Sequence, residues 1–162
     1  MVAKTNQVEK PVRIIPMLNG DLFAILLLGA GMGLLVWMLG ALLDRYVFDV
    51  YFCKGDINAQ CESAKNYAAV AATLVGSVLA LAGLVRLRIY RPLLVLIASV
   101  LSVWGVAQMS WNLGWFTGAL VVAALYALAF GVFGWIARIR EFWIALVVMA
   151  LLVIAVRIAL MV

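Results

Sequence analysis

With 162 residues, 69% of them hydrophobic and 12% charged, this chain has too few polar side chains to cover the surface of a soluble domain. Its mean hydropathy of +1.19 comes from long apolar runs separated by short polar islands, the pattern that lipid imposes. The formal charge of +5 does not imply a nucleic-acid partner, because the basic residues sit at the ends of apolar runs and no long basic helix tracks a phosphate backbone.

Residues 1–20 form a polar, then mixed, N-terminal segment carrying Lys4, Lys10 and Arg13, in which Pro11 and Pro16 interrupt any early helix. Asn19 or Asp21 is placed to cap the first helix, where a side-chain oxygen meets free backbone N–H groups. The first membrane span is expected at about 22–43. It is longer than the roughly 7–15 residues of a signal-peptide core, and Asp44, Arg45 and Tyr46 follow it instead of a small-residue cleavage site, so it stays as a span.

The polar stretch 44–66 is expected to be a loop on the outer face. Span two follows at about 67–85, then a tight basic turn with Arg86, Arg88, Arg91 and Pro92. Span three is expected at about 93–109, an uncharged link at 110–115, and span four at about 116–136. A second basic turn holds Arg138, Arg140 and Glu141, and span five covers about 142–161. Each run is near the roughly 20 residues needed to cross a hydrocarbon core of about 30 Å. The expected fold is all-α: a transmembrane domain over 21–162 with five transmembrane helices. The rival organisation has four spans, with 93–136 wrongly divided in two; Gly114 between Trp111 and Trp115 favours a true hairpin there.

Lysine and arginine placement sets the orientation. With the N-terminus inside, the inner segments hold eight basic residues: Lys4, Lys10, Arg13, Arg86, Arg88, Arg91, Arg138 and Arg140. The outer side holds four: Arg45, Lys54, Lys65 and Arg157. The chain is therefore expected to run N-inside, C-outside; a bacterial cytoplasmic (inner) membrane fits best, and an endoplasmic-reticulum membrane satisfies the same physics.

Cys53 and Cys61, the two cysteines, share the outer loop. In an oxidising compartment such a pair closes a small loop, typically a contribution of about 2–4 kcal/mol, and a structural disulfide is the expected state. Membrane thiol oxidoreductases tune their thiols with a CxxC spacing; here seven residues intervene, which argues against redox function. Asp49, Asp56 and Glu62 lack the glycine and terminal glutamate of a calcium loop, so no metal site is expected.

Small residues recur where helices are to pack. Ala68, Ala72, Gly76 and Ala80 fall every fourth residue in span two; Ala119, Ala123, Ala127 and Gly131 do so in span four, and Gly29 and Gly33 in span one. Such stripes let two backbones approach closely. They are expected to pack the chain's own bundle first; docking a partner helix or a second copy is the sharper alternative.

The chain has no histidine, no carboxylate pair in an apolar run and no serine beside a recognisable base. Thr73, Ser77, Ser99, Ser102 and Thr117 can satisfy their hydroxyls on the preceding turn of their own helices. Arg157, near the outer end of span five, is expected to snorkel to the surface. No catalytic residue and no cofactor is expected. The expected function is that of a non-catalytic membrane protein, an accessory or scaffold subunit packing against other membrane helices. The alternative is a small carrier or lipid-binding protein for apolar or amphiphilic cargo. The expected partners are membrane lipid and either a membrane protein or a second copy of the chain.

Overall fold

The structure, a computed structural model, describes residues 19–52, 58–106, 110 and 113–161, without the side chains of 19, 49, 52, 58–64, 160 and 161. Helix α1 (Asn19–Leu43) continues through one wider π-helical turn (Asp44–Phe48) into the short helix α2 (Asp49–Phe52). Then come α3 (Asn58–Arg86), α4 (Pro92–Val103), α5 (Trp115–Ile136) and α6 (Phe142–Met161). The described residues contain no strand. The stretches Gly20–Phe48, Lys65–Arg86, Trp115–Ile136 and Phe142–Ala159 are each long and apolar enough to cross a membrane. The chain is an all-helical, multi-pass membrane protein.

Residues 44–66, read as a loop from their polarity, are helical at 44–52 and from Asn58 onward. Polarity marks where a span leaves the hydrocarbon, and a helix does not have to stop there. Ala59, Gln60, Glu62, Ala64 and Lys65 are good helix formers, so α3 extends past the apolar run. Cys53 lies outside the described residues, as does the side chain of Cys61.

The bundle is centred on α1, which packs most extensively on α5 and next on α3. A Cβ added to Gly29 would stand 2.8 Å from the Tyr126 carbonyl oxygen and 2.9 Å from Ala127 Cα; one added to Gly33 would stand 2.8 Å from Ala123 Cα. The two backbones therefore touch directly. On the other side of α1, Gly76 faces Met32 and Val36, while Ala68, Ala72 and Ala80 of α3 are buried. Around these close approaches, Ile25, Val36, Leu84, Val95, Tyr126, Phe130 and Phe133 are almost fully buried and form one core.

At one end of the bundle, two turns are tied together. The α3 C-terminus closes with Ile89 N–H donating to the Leu84 carbonyl (3.2 Å) and Arg88 N–H to that of Val85 (3.0 Å). This double closure requires a left-handed residue, usually glycine, and Arg88 takes it at φ 52°. Arg91 is also left-handed, at φ 60°, and Pro92 then starts α4 where its missing N–H costs nothing. The Arg91 guanidinium crosses to the second turn and donates to the carbonyls of Ile139 (3.5 Å) and Arg140 (3.2 Å). At the same end, Asp21 in the first turn of α1 approaches Arg138 at 3.6 Å. Asp21 is 61% exposed, so solvent screens this pair; Asp21→Asn is expected to change stability by about 0–1 kcal/mol, checked by thermal unfolding in mild detergent.

The third apolar run differs most from expectation. Expected as a span over 93–109, it opens with the 12 residues of α4, about 18 Å, and after a turn at Trp104 and Gly105 it is helical again at Val106. The helix ends at Trp104, and Gly105 follows at φ +88°, which only glycine takes without strain. The chain nonetheless crosses here. Pro92 starts at the Arg91 and Arg138 end, whereas Trp115 opens α5 beside Trp37, Asp44 and Lys65 at the opposite end. The chain therefore crosses between Pro92 and Trp115, with α4 interrupted at Trp104 and Gly105.

Candidate functional site

A helix that stops inside hydrocarbon leaves backbone carbonyls without partners, which lipid cannot satisfy. At the α4 break a charged side chain meets that need. Arg157 Nη1 donates to the Trp104 carbonyl oxygen at 2.7 Å. The cation also sits at the negative end of the α4 dipole, where positive charge is favoured. Arg157 lies on α6 about 22 Å beyond Phe142, so roughly 8 Å short of the far edge of a core about 30 Å thick. The guanidinium, expected from the sequence to snorkel, is tied to the α4 break on an exposed side of the bundle.

The bundle side of the same break is polar too. A small cavity there is lined by Ala69, Thr73, Val103, Trp104, Gly105 and Tyr126. Thr73 Oγ1 donates to the Ala69 carbonyl at 2.7 Å and also bonds with the Tyr126 hydroxyl. Ser77 and Ser102 likewise donate to carbonyls of their own helices, at 2.6 and 3.2 Å. Ser99 departs from that rule: its hydroxyl is fully buried in α4, one turn before the break, and makes no hydrogen bond.

On the lipid side, the seam between α4 and α6 opens into a groove of about 770 Å³. Leu93, Ile97 and Leu101 line one wall at every fourth residue; Leu146, Ala150 and Ile154 line the other at the same interval. Arg91 stands at one end, its guanidinium 4.8 Å from the centre of the Tyr90 ring and 5.0 Å from that of Phe142. Past Leu101 and Val153 a smaller cavity of about 350 Å³ continues to Trp104 and Arg157. The seam is thus apolar along its length, with an arginine at each end.

The small-residue positions lie elsewhere. Gly29 and Gly33 meet Ala123 and Ala127 across the α1–α5 interface, Gly131 faces Leu26, and Ala119 packs on the edge of the core. Ala68, Ala72, Gly76 and Ala80 lie on the buried side of α3. These stripes are occupied within the chain. Sequence reasoning missed the pairing of Arg157 with the Gly105 break, although both residues carried a signal: a lone charge in an apolar run, and a glycine late in a span. Among the described residues no cluster of histidine, cysteine or carboxylate side chains could hold a metal ion. No protein-family model, curated protein or solved structure matches the chain.

Proposed function

We propose that this chain is a non-catalytic subunit of a bacterial cytoplasmic membrane, with its arginine-rich turns inside, that acts as an accessory or scaffold protein by docking another membrane helix on α6. The supporting observation is how little of α6 the bundle covers. Within its most apolar stretch 11% of residues are buried, against 33% to 44% in the other three long helices. Ile144, Val147, Leu151 and Ile158 project along a face of α6 that is turned away from α4. Packing in lipid rests on van der Waals fit, so an apolar helix tethered on one side is suited to a second helix on the other. The test is affinity purification of the full chain in mild detergent. A stoichiometric partner of different sequence, released by Leu151→Trp, is expected; recovery of the chain without any protein partner contradicts the reading.

A second reading, a lipid-binding protein, is favoured by the α4–α6 groove. That groove lies on a different side of α6 from Val147 and Leu151, so the two readings are separable by mutation.

A further inference from the structure

The order of chemistry along the α4–α6 seam matches that of a phospholipid in one leaflet. At the mouth, charge is concentrated: Arg86, Arg88, Arg91, Arg138 and Arg140 share this face with two described carboxylates, Asp21 and Glu141. Immediately below Arg91 the groove turns apolar and stays so past Ile154. From Pro92 to Val103 it follows α4 for about 18 Å, a little more than one leaflet of a core about 30 Å thick. The Arg91 guanidinium is fixed over the mouth by two carbonyls and by the faces of Tyr90 and Phe142. Those two bonds use two of its five N–H donors on neutral carbonyls, and among the described residues no carboxylate forms an ion pair with it. A partner helix would fill the apolar walls but has no need of a cationic mouth. An anionic headgroup does, and basic pockets between membrane helices suit such headgroups.

We propose that this groove binds one anionic phospholipid from the leaflet on the basic face, with the phosphate at Arg91 and an acyl chain along Leu93, Ile97, Leu101, Leu146, Ala150 and Ile154. The proposal rests on the lipid-binding reading and adds the site, the leaflet and the headgroup charge. Arg157, at the far end of the seam, closes the apolar track at Trp104.

The experiment is native mass spectrometry of the full chain in mild detergent, titrated with phosphatidylglycerol, with phosphatidylcholine of the same chains, or with inorganic phosphate. One phosphatidylglycerol per chain is expected, held about tenfold more tightly than phosphatidylcholine, with inorganic phosphate failing to displace it. Arg91→Gln is expected to erase the preference. Because Arg91 also clamps two turns, Ala150→Phe gives an independent variant: it fills the groove and is expected to weaken retention at least about tenfold. Val147→Phe, on the neighbouring face, is expected to leave retention unchanged. Equal retention of both lipids overturns the site, as does wild-type retention by Ala150→Phe, although the chain would then still bind lipid elsewhere. A lipid-free dimer with the groove closed between copies also overturns it. If the wild-type chain retains neither lipid, the lipid-binding reading falls as well.

Discussion

Gly33→Ala is expected to destabilise the bundle by about 1–3 kcal/mol, whereas Gly31→Ala, two residues away on the same helix, is expected to be neutral or mildly stabilising. The two substitutions add the same methyl group. At Gly33 it meets Ala123 Cα and the Val122 carbonyl oxygen, each at 2.8 Å, and the Tyr126 Cβ at 3.0 Å. Two of these three are backbone atoms that no rotamer change can move, so α1 and α5 must separate along their shared length. At Gly31 nothing lies within 4 Å, and replacing a helix-interior glycine with alanine gains about 0.5–1 kcal/mol in chain entropy. Unfolding of the purified chain in mild detergent, followed by circular dichroism, reads both. Equal effects at the two positions would show that the α1–α5 contact is not the organising interface.

The same pair shows how much of the fold could be read from sequence. The four-residue spacing of Gly29 and Gly33, and of Ala119, Ala123, Ala127 and Gly131, identified surfaces capable of close approach, and these two surfaces meet in the structure. The spacing carried no information on which stripe faces which, because every small residue offers the same absence of bulk. Helix ends were harder to read than helix centres. Hydropathy falls at Asp44 and rises again near Tyr67, yet α3 already begins at Asn58, since backbone hydrogen bonding ignores the membrane boundary.

The interruption of the third crossing was hidden for a related reason. Glycine is common in transmembrane helices, and Gly105 among Val103, Trp104 and Val106 lowers local apolarity very little. What makes it a break is tertiary. The carbonyl of Trp104 finds Arg157, 53 residues further along the chain, and that partner makes an end possible where lipid alone would enforce continuation. The groove was equally hidden. Its two walls are ordinary apolar helix faces, and only the peripheral position of α6 leaves a channel between them.

Arg157→Leu separates insertion from tertiary structure, because its effects on the two have opposite signs. In α6 alone, exchanging arginine for leucine removes a charge that costs about 2.5–3.5 kcal/mol at the centre of a span, and less near its end, so the helix enters the membrane more readily. In the folded chain, the exposed Trp104 carbonyl loses its donor, which costs about 1–3 kcal/mol where lipid and not water surrounds the acceptor. The α4 terminus also loses a cation beside its negative end. Membrane levels of the variant are therefore expected to equal or exceed wild type, while the amide hydrogens around Gly105 exchange at least about tenfold faster, equivalent to 1.4 kcal/mol of local stability. Arg157→Lys keeps the charge but replaces a planar fork with a compact ammonium, so it should restore protection only in part. Unchanged exchange in Arg157→Leu would mean that the 2.7 Å bond does not hold the break, and that residues 104–106 keep their shape through the packing of Val103 and Val106 in the core. Faster exchange confined to this segment would identify Arg157 as the tie between the peripheral helix and the broken crossing, placing control of the α4–α6 seam at the arginine opposite Arg91.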